Sequence, residues 1–133
     1  VVLVDTAVWI DFLRDLQTPA TRQLRRLVAA EEAALAPVIM QEILQGARDE
    51  RAFGKLVTRF TGFPMLGRGD PLVLAQAAAR LYARARWQGV SPRSPHDCLI
   101  AAIAVAERAP LLADDVDFDR LREVEPKLEL LAH

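Results

Sequence analysis

The sequence predicts an α/β domain built on a mostly parallel sheet of about five strands. Short apolar runs alternate with longer segments of helical period, which is how a parallel sheet with crossover helices is written in a chain. Three helix starts are marked in the same way, by a capping side chain followed by a proline. No repeat, low-complexity tract or flexible linker interrupts the pattern, so residues 1–133 are read as a single domain.

In order, the expected strands are Val1 to Val4, Ala33 to Ala36, Pro64 to Leu66, Leu111 to Ala113 and Leu128 to Leu131. Thr18-Pro19, Asp70-Pro71 and Ser94-Pro95 place a side-chain acceptor before a proline at the first helical position, where a missing N–H costs nothing. Pro37 opens another helix in the same way. The helix from Asp70 carries Ala75, Ala78, Leu81 and Tyr82 and stops at Gly89, a residue suited to a left-handed cap.

Composition bounds the function. With 52% hydrophobic and 26% charged residues, the chain can bury a core and is expected to be compact and soluble. A formal net charge of −1 gives no general attraction for phosphates, so a nucleic-acid partner would need a local patch. The single Cys98 excludes an internal disulfide and fits a reducing compartment. The longest apolar stretch, Cys98 to Ala106, is far short of the ~20 residues that span a bilayer. No signal peptide is evident, and the expected location is cytoplasmic, with no membrane partner.

Four acids stand in apolar surroundings: Asp5 after Val-Val-Leu-Val, Glu42 within Val-Ile-Met-Gln-Glu-Ile-Leu, Asp97 before Cys-Leu-Ile-Ala-Ala-Ile, and Asp115 after Pro-Leu-Leu-Ala-Asp. Such carboxylates lose hydration and need a compensating cation. Asp5 and Asp115 each follow an expected strand, so both belong to the carboxyl edge of the sheet, where ligands collect in open α/β folds. Asp97 lies in the first turn after the Ser94 cap, where helical N–H groups favour an ionised carboxylate. Glu42 sits in a largely apolar helix and is expected to face a cleft.

Each acid also has an ordinary reading. Asp97 is in position to complete a capping box with Ser94, Asp5 to begin the helix carrying Trp9 and Phe12, and Glu42 to be a solvated helix residue. Asp115 lies in the run Ala-Asp-Asp-Val-Asp-Phe-Asp, and charge runs are usually solvated faces. The convergence of four separately placed acids on one sheet edge favours a shared divalent cation. Oxygen ligands with few His or Cys candidates select Mg²⁺ or Mn²⁺ over zinc, and phosphoryl transfer is the chemistry such sites most often serve. Crowding predicts that at least one of these acids has a raised pKa without metal. His133 is terminal, and His96 is expected to point away from its neighbour Asp97.

Four segments carry a resemblance: Asp-Thr-Ala-Val-Trp-Ile-Asp-Phe-Leu at 5 to 13, Glu-Ile-Leu-Gln-Gly at 42 to 46, Ser-Pro-His-Asp-Cys-Leu-Ile-Ala-Ala at 94 to 102, and Leu-Leu-Ala-Asp-Asp-Val-Asp-Phe at 111 to 118. In this order and spacing they resemble the conserved blocks of PIN-domain ribonucleases, specifically the VapC toxins of bacterial toxin–antitoxin pairs. The resemblance implies a PIN-like three-layer α/β/α fold. It also implies a Mg²⁺- or Mn²⁺-dependent endoribonuclease, with Asp5, Glu42, Asp97 and Asp115 as catalytic metal-binding acids and Asp117 as a supplementary one. The implied partners are RNA and a cognate VapB-like antitoxin cradled by helices near Asp5, with a homodimer or a toxin–antitoxin hetero-oligomer as the assembly.

Two positions depart from that pattern. Ala7 and Ala113 stand where hydroxyl or amide residues are usual, which removes hydrogen bonds that orient the acids, while Thr6 keeps an orienting hydroxyl near the substrate. Arg93, before the Asp97 helix, is the leading candidate for an RNA contact. Arg80 and Arg84 with Trp87, and the cluster Arg22, Arg25 and Arg26, are weaker ones, since an arginine-rich basic set is also what a GC-rich genome gives. Trp9, Phe12 and Leu13 form an apolar stripe with either a core or a partner-binding role. The rival functions are a catalytically weak PIN-fold binding module and a phospho-acceptor signalling domain. The latter needs a lysine after a late strand, and neither Lys55 nor Lys127 is so placed.

Overall fold

Val2–Val4 (β1) is buried along its whole length, which suits a strand covered on both faces, and it takes the middle of the sheet. In the computed structural model, which describes residues Val1 to His133, Ala33–Ala34 (β2) and Leu111–Leu112 (β3) flank it in the order β2-β1-β3. Both pairings are parallel, with Val2 opposite Ala33, Leu3 opposite Ala34 and Leu111, and Val4 opposite Leu112.

The expectation of about five strands is corrected to three. The segments read as strands at Pro64–Leu66 and Leu128–Leu131 each contribute one parallel bridge, Leu35 with Met65 and Leu111 with Leu130. They are the outermost segments, paired on one side only, and Pro64 has no N–H to give to a ladder. The carbonyl of Pro64 accepts from Leu35 and Leu66 donates to the Leu35 carbonyl, so the edge is tied at one point.

Seven helices surround the sheet: Thr6–Leu13 (α1), Pro19–Ala29 (α2), Pro37–Leu44 (α3), Glu50–Phe60 (α4), Pro71–Trp87 (α5), Pro95–Ala106 (α6) and Val116–Val124 (α7). Right-handed crossovers put α1–α4 on one face, as the chain steps outward through β2, and α5–α7 on the other, as it returns through β3. The packing agrees, since α1 lies against α2 and α3, α3 against α4, and α5, α6 and α7 against one another. This is the three-layer α/β/α arrangement. No helix is long and apolar enough to cross a membrane.

The cap-proline signals mark real starts. Thr18 and Thr21 form a reciprocal capping box at α2, Asp70 Oδ1 accepts from Leu72 N at 2.9 Å, and Ser94 Oγ accepts from His96 N at 3.1 Å. Gly89 ends α5 at φ +80°. Gly67 has φ +76°, and a Cβ there would stand 2.8 Å from Ile103 Cδ1, so the turn entering α5 presses on α6 and admits no side chain.

Trp9 is fully buried with its ring edge-on to Phe60 at 5.3 Å and Phe63 at 5.2 Å. The stripe through Trp9 is therefore core, joining α1 to α4, and Trp9 is withdrawn from any partner-binding surface. Arg84 is structural too: it donates to the Val124 carbonyl at 2.9 Å and pairs with Glu125 at 3.4 Å, closing the end of α7.

Candidate metal centre

β1 and β3 are the strands between which the chain changes face, and the crevice beyond their carboxyl ends is where such folds place ligands. Asp5 leaves β1 directly into this crevice, and its N–H donates to the Leu112 carbonyl at 2.9 Å, pinning it to the end of β3. Two residues beyond Ala113, Asp115 caps α7, its Oδ1 accepting from Asp117 N at 2.9 Å. That bond turns Asp117 back under the cap, where it is only 4% exposed. From the other side, α6 supplies Asp97 in its first turn.

Asp97, Asp115 and Asp117 each present a carboxylate oxygen, and the three lie within 4.8 Å of one another. Asp5 and Glu42 complete the surround without belonging to that tight group. Thr6 Oγ1 donates to Glu42 Oε1 at 2.8 Å, which draws α3 toward the end of β1. The ordinary role for Asp97 is not the one found: Ser94 Oγ is engaged by His96 N, so the cap closes without Asp97.

Electrostatics follow from burial and crowding. The Asp5 carboxyl, 5% exposed, is pushed up to about 7, first by burial and then by the Asp97 charge, with Glu42 adding to it and the N–H groups of Thr6 and Ala7 opposing. Asp97 rises to about 6 through burial, then through Asp115, Asp117 and Glu42, with His96 opposing. The raised pKa expected of crowded acids is thus present at two positions. Cys98, buried and beside Asp97, rises to about 11 and is an inert core thiol.

The chemistry of this donor set fits a hard divalent cation. All ligands are oxygens, their charges outnumber the nearby cations, and Asp117 Oδ2 is a fully buried carboxylate oxygen with no hydrogen-bond partner. Two guanidiniums approach that side chain. Arg120 Nη1 reaches Oδ1 at 3.4 Å, and Arg93 Nε lies 3.3 Å from Oδ2 without hydrogen-bond geometry.

Other sequence candidates fall elsewhere. Arg25 pairs with Asp15 and lies over the Phe12 ring, Arg26 bonds Gln23, and Trp87 is 73% exposed at the far end of α5. Thr6, offered as a substrate contact, is buried with its hydroxyl on Glu42. His96, the second residue of α6, faces α3, with its Nδ1 3.4 Å from Glu42 Oε2. Arg120 was not singled out at all, and its i,i+3 spacing from Asp117 is the signal that marks it. On its far side His96 borders an apolar cleft of about 750 Å³ between α5 and α6, lined by Leu74, Ala78, Tyr82, Leu99 and Ile103.

A family model described as "PIN domain" matches residues 2–124. The chain belongs to the PIN domain family. Among curated relatives, VapC ribonuclease Mb1587 of Mycobacterium bovis and Ribonuclease VapC11 of Mycobacterium tuberculosis are each 36% identical over 126 residues, covering 92% of both chains. Solved PIN-fold neighbours include VapBC2 from Rickettsia felis bound to a DNA fragment from its promoter, with TM-score 0.71, 16% identity and coverage of 97% and 96% of the two chains. FitAcB from Neisseria gonorrhoeae gives TM-score 0.71, 16% identity and coverage of 99% and 97%. At that identity the two structures speak for the fold alone.

Proposed function

We propose that this PIN-domain chain is a Mg²⁺- or Mn²⁺-dependent endoribonuclease and the toxin of a toxin–antitoxin pair. The observation that carries the reading is the group Asp97, Asp115 and Asp117, the last with a buried, unpartnered carboxylate oxygen, in a chain 36% identical to proteins named VapC ribonucleases. These three acids would hold the cation, with Asp5 and Glu42 completing its surround, and loss of any of the five carboxylates would cost cleavage. A divalent cation there supplies Lewis acidity at the phosphate and readies a water for attack. Asp5 and Asp97, held partly protonated by burial and crowding in the metal-free centre, would release those protons as a cation binds. Arg93, with its side chain 69% exposed, reaches from the rim toward an RNA phosphate.

With this reading go a VapB-like antitoxin partner, a homodimer or hetero-oligomer as the assembly, and a cytoplasmic location. The test is cleavage of total RNA with and without EDTA, with end-group analysis. Attack by water leaves a 5′-phosphate and a 3′-hydroxyl. A 2′,3′-cyclic end, or cleavage indifferent to EDTA, would overturn the proposal in favour of a metal-free reaction. No cleavage under any metal would favour the binding-module reading.

A further inference from the structure

The ion pair between Arg93 and Asp117 differs from every other contact in the centre. Asp117 is rigidly placed: it is buried, its N–H is held by Asp115, and its Oδ1 faces Arg120 from the same helix, three residues on. Arg93 comes from the loop between α5 and α6, has its side chain 69% exposed, and meets Oδ2 at 3.3 Å without hydrogen-bond geometry. An exposed, solvated guanidinium thus stands against the one buried oxygen whose hydrogen-bonding capacity is unmet. A divalent cation on that oxygen would sit at about 2.1 Å, inside the distance Arg93 now keeps.

We infer that Arg93 is a built-in counter-ion of the metal-free centre, displaced from Asp117 when a divalent cation binds. The inference rests on the metal-site reading above and adds a competition within it. Charge makes the two cations alternatives, because a divalent ion and a guanidinium a few ångströms apart repel strongly in a partly desolvated crevice. Arg120 is not the one displaced, since it meets the other oxygen and belongs to the same helix as Asp117. Arg93 has no such tether, and once released its side chain extends into the solvent in front of the acids. Its pairing with Asp117 and its reach toward a phosphate then become successive states of one residue, the first without metal and the second with it.

The experiment is calorimetric titration of Mn²⁺ into the wild-type chain, Arg93→Gln and Arg93→Lys at low ionic strength, with thermal midpoints measured without metal. Removing the competitor is expected to tighten Mn²⁺ binding by roughly 5-fold in Arg93→Gln. Arg93→Lys, which keeps the charge, should stay near wild type. The Arg93→Gln midpoint without metal should fall slightly and recover fully with Mn²⁺, because Asp117 then lacks only its temporary partner. Equal or weaker Mn²⁺ binding by Arg93→Gln overturns the counter-ion role while leaving the metal centre standing. Absence of Mn²⁺ binding by the wild-type chain overturns the metal reading itself, and this inference with it.

Discussion

The hydroxyl of Thr6 and the carboxylate of Glu42, 36 residues apart in sequence, meet in a 2.8 Å hydrogen bond that ties the first turn of α1 to α3. Because Thr6 directly follows Asp5, this bond sets the position of two acids at once. It also supplies one orienting contact in a centre where Ala7 and Ala113 supply none.

Thr6→Val, which keeps the shape and loses the hydroxyl, should therefore weaken Mn²⁺ binding and cleavage by roughly 10-fold or more, at a stability cost of about 1 kcal/mol. Thr6→Ser should restore most of the loss. Metal titrations beside denaturant melts check this, and wild-type metal affinity in Thr6→Val would show that Glu42 needs no such anchor.

The raised carboxyls predict an inverted pH dependence of stability. Asp5 moves from 3.8 to about 7 and Asp97 from 3.8 to about 6, so across that window the native state keeps protons the unfolded chain has released. Stability is then full below about pH 4 for these two groups and falls as pH rises through their folded values. Without metal, the thermal midpoint at pH 8 should lie below that at pH 5.5 by roughly 5 °C, and Asp5→Asn should flatten the difference. Saturating Mn²⁺ should abolish it. A midpoint that climbs from pH 5.5 to 8 in the metal-free chain would contradict the assignment.

Among the acids, Asp97→Asn should raise metal-free stability at pH 8 while lowering cleavage by orders of magnitude, because the charge that attracts metal is the charge that crowds its neighbours. Asp117 belongs to the tight group, so Asp117→Asn should match Asp97→Asn in its loss of cleavage. Rates of the two variants, with melts at pH 8, decide the matter, and near-normal activity in Asp117→Asn would return that residue to a supporting role.

Arg84 offers a contrast from the other layer. Its bonds to the Val124 carbonyl and Glu125 hold the end of α7, so Arg84→Gln should cost about 1 kcal/mol of stability. Cleavage per folded molecule should be unchanged. A selective loss of RNA affinity at full stability would instead make Arg84 a phosphate contact.

Local signals were legible and packing was not. The strands at Val2–Val4 and Leu111–Leu112 announce themselves because they are apolar throughout, and the caps at Thr18, Asp70 and Ser94 because cap chemistry is local. Asp5, Asp97 and Asp115 could be placed because each sits at the end of such an element. Asp117, two residues into α7, was named only through the family resemblance, since nothing local parts it from the exposed Asp119; the Asp115 cap folds one under and leaves the other out. Arg84, Trp9 and His96 could not be given partners for a related reason. Periodicity says which residues share a helix face but not which neighbour covers it, and the neighbours here are α7, α4 and α3. The two outer strands shrank to single bridges because an edge segment has only one partner to hold it.

The central strand leaves the ribosome long before one of its two partners. Leu3 pairs with Leu111, and the acids beside them come from positions 5, 97, 115 and 117. At about 5–20 residues per second, translation of the intervening chain takes many seconds. Throughout that time Val2, Leu3 and Val4 stay half-paired and the acid cluster does not exist. A nascent polypeptide of this topology carries its carboxylates harmlessly apart until α7 has been made, then brings them together in one step. Activity, solubility of the growing chain and readiness for any waiting partner are thereby timed by the order of the strands.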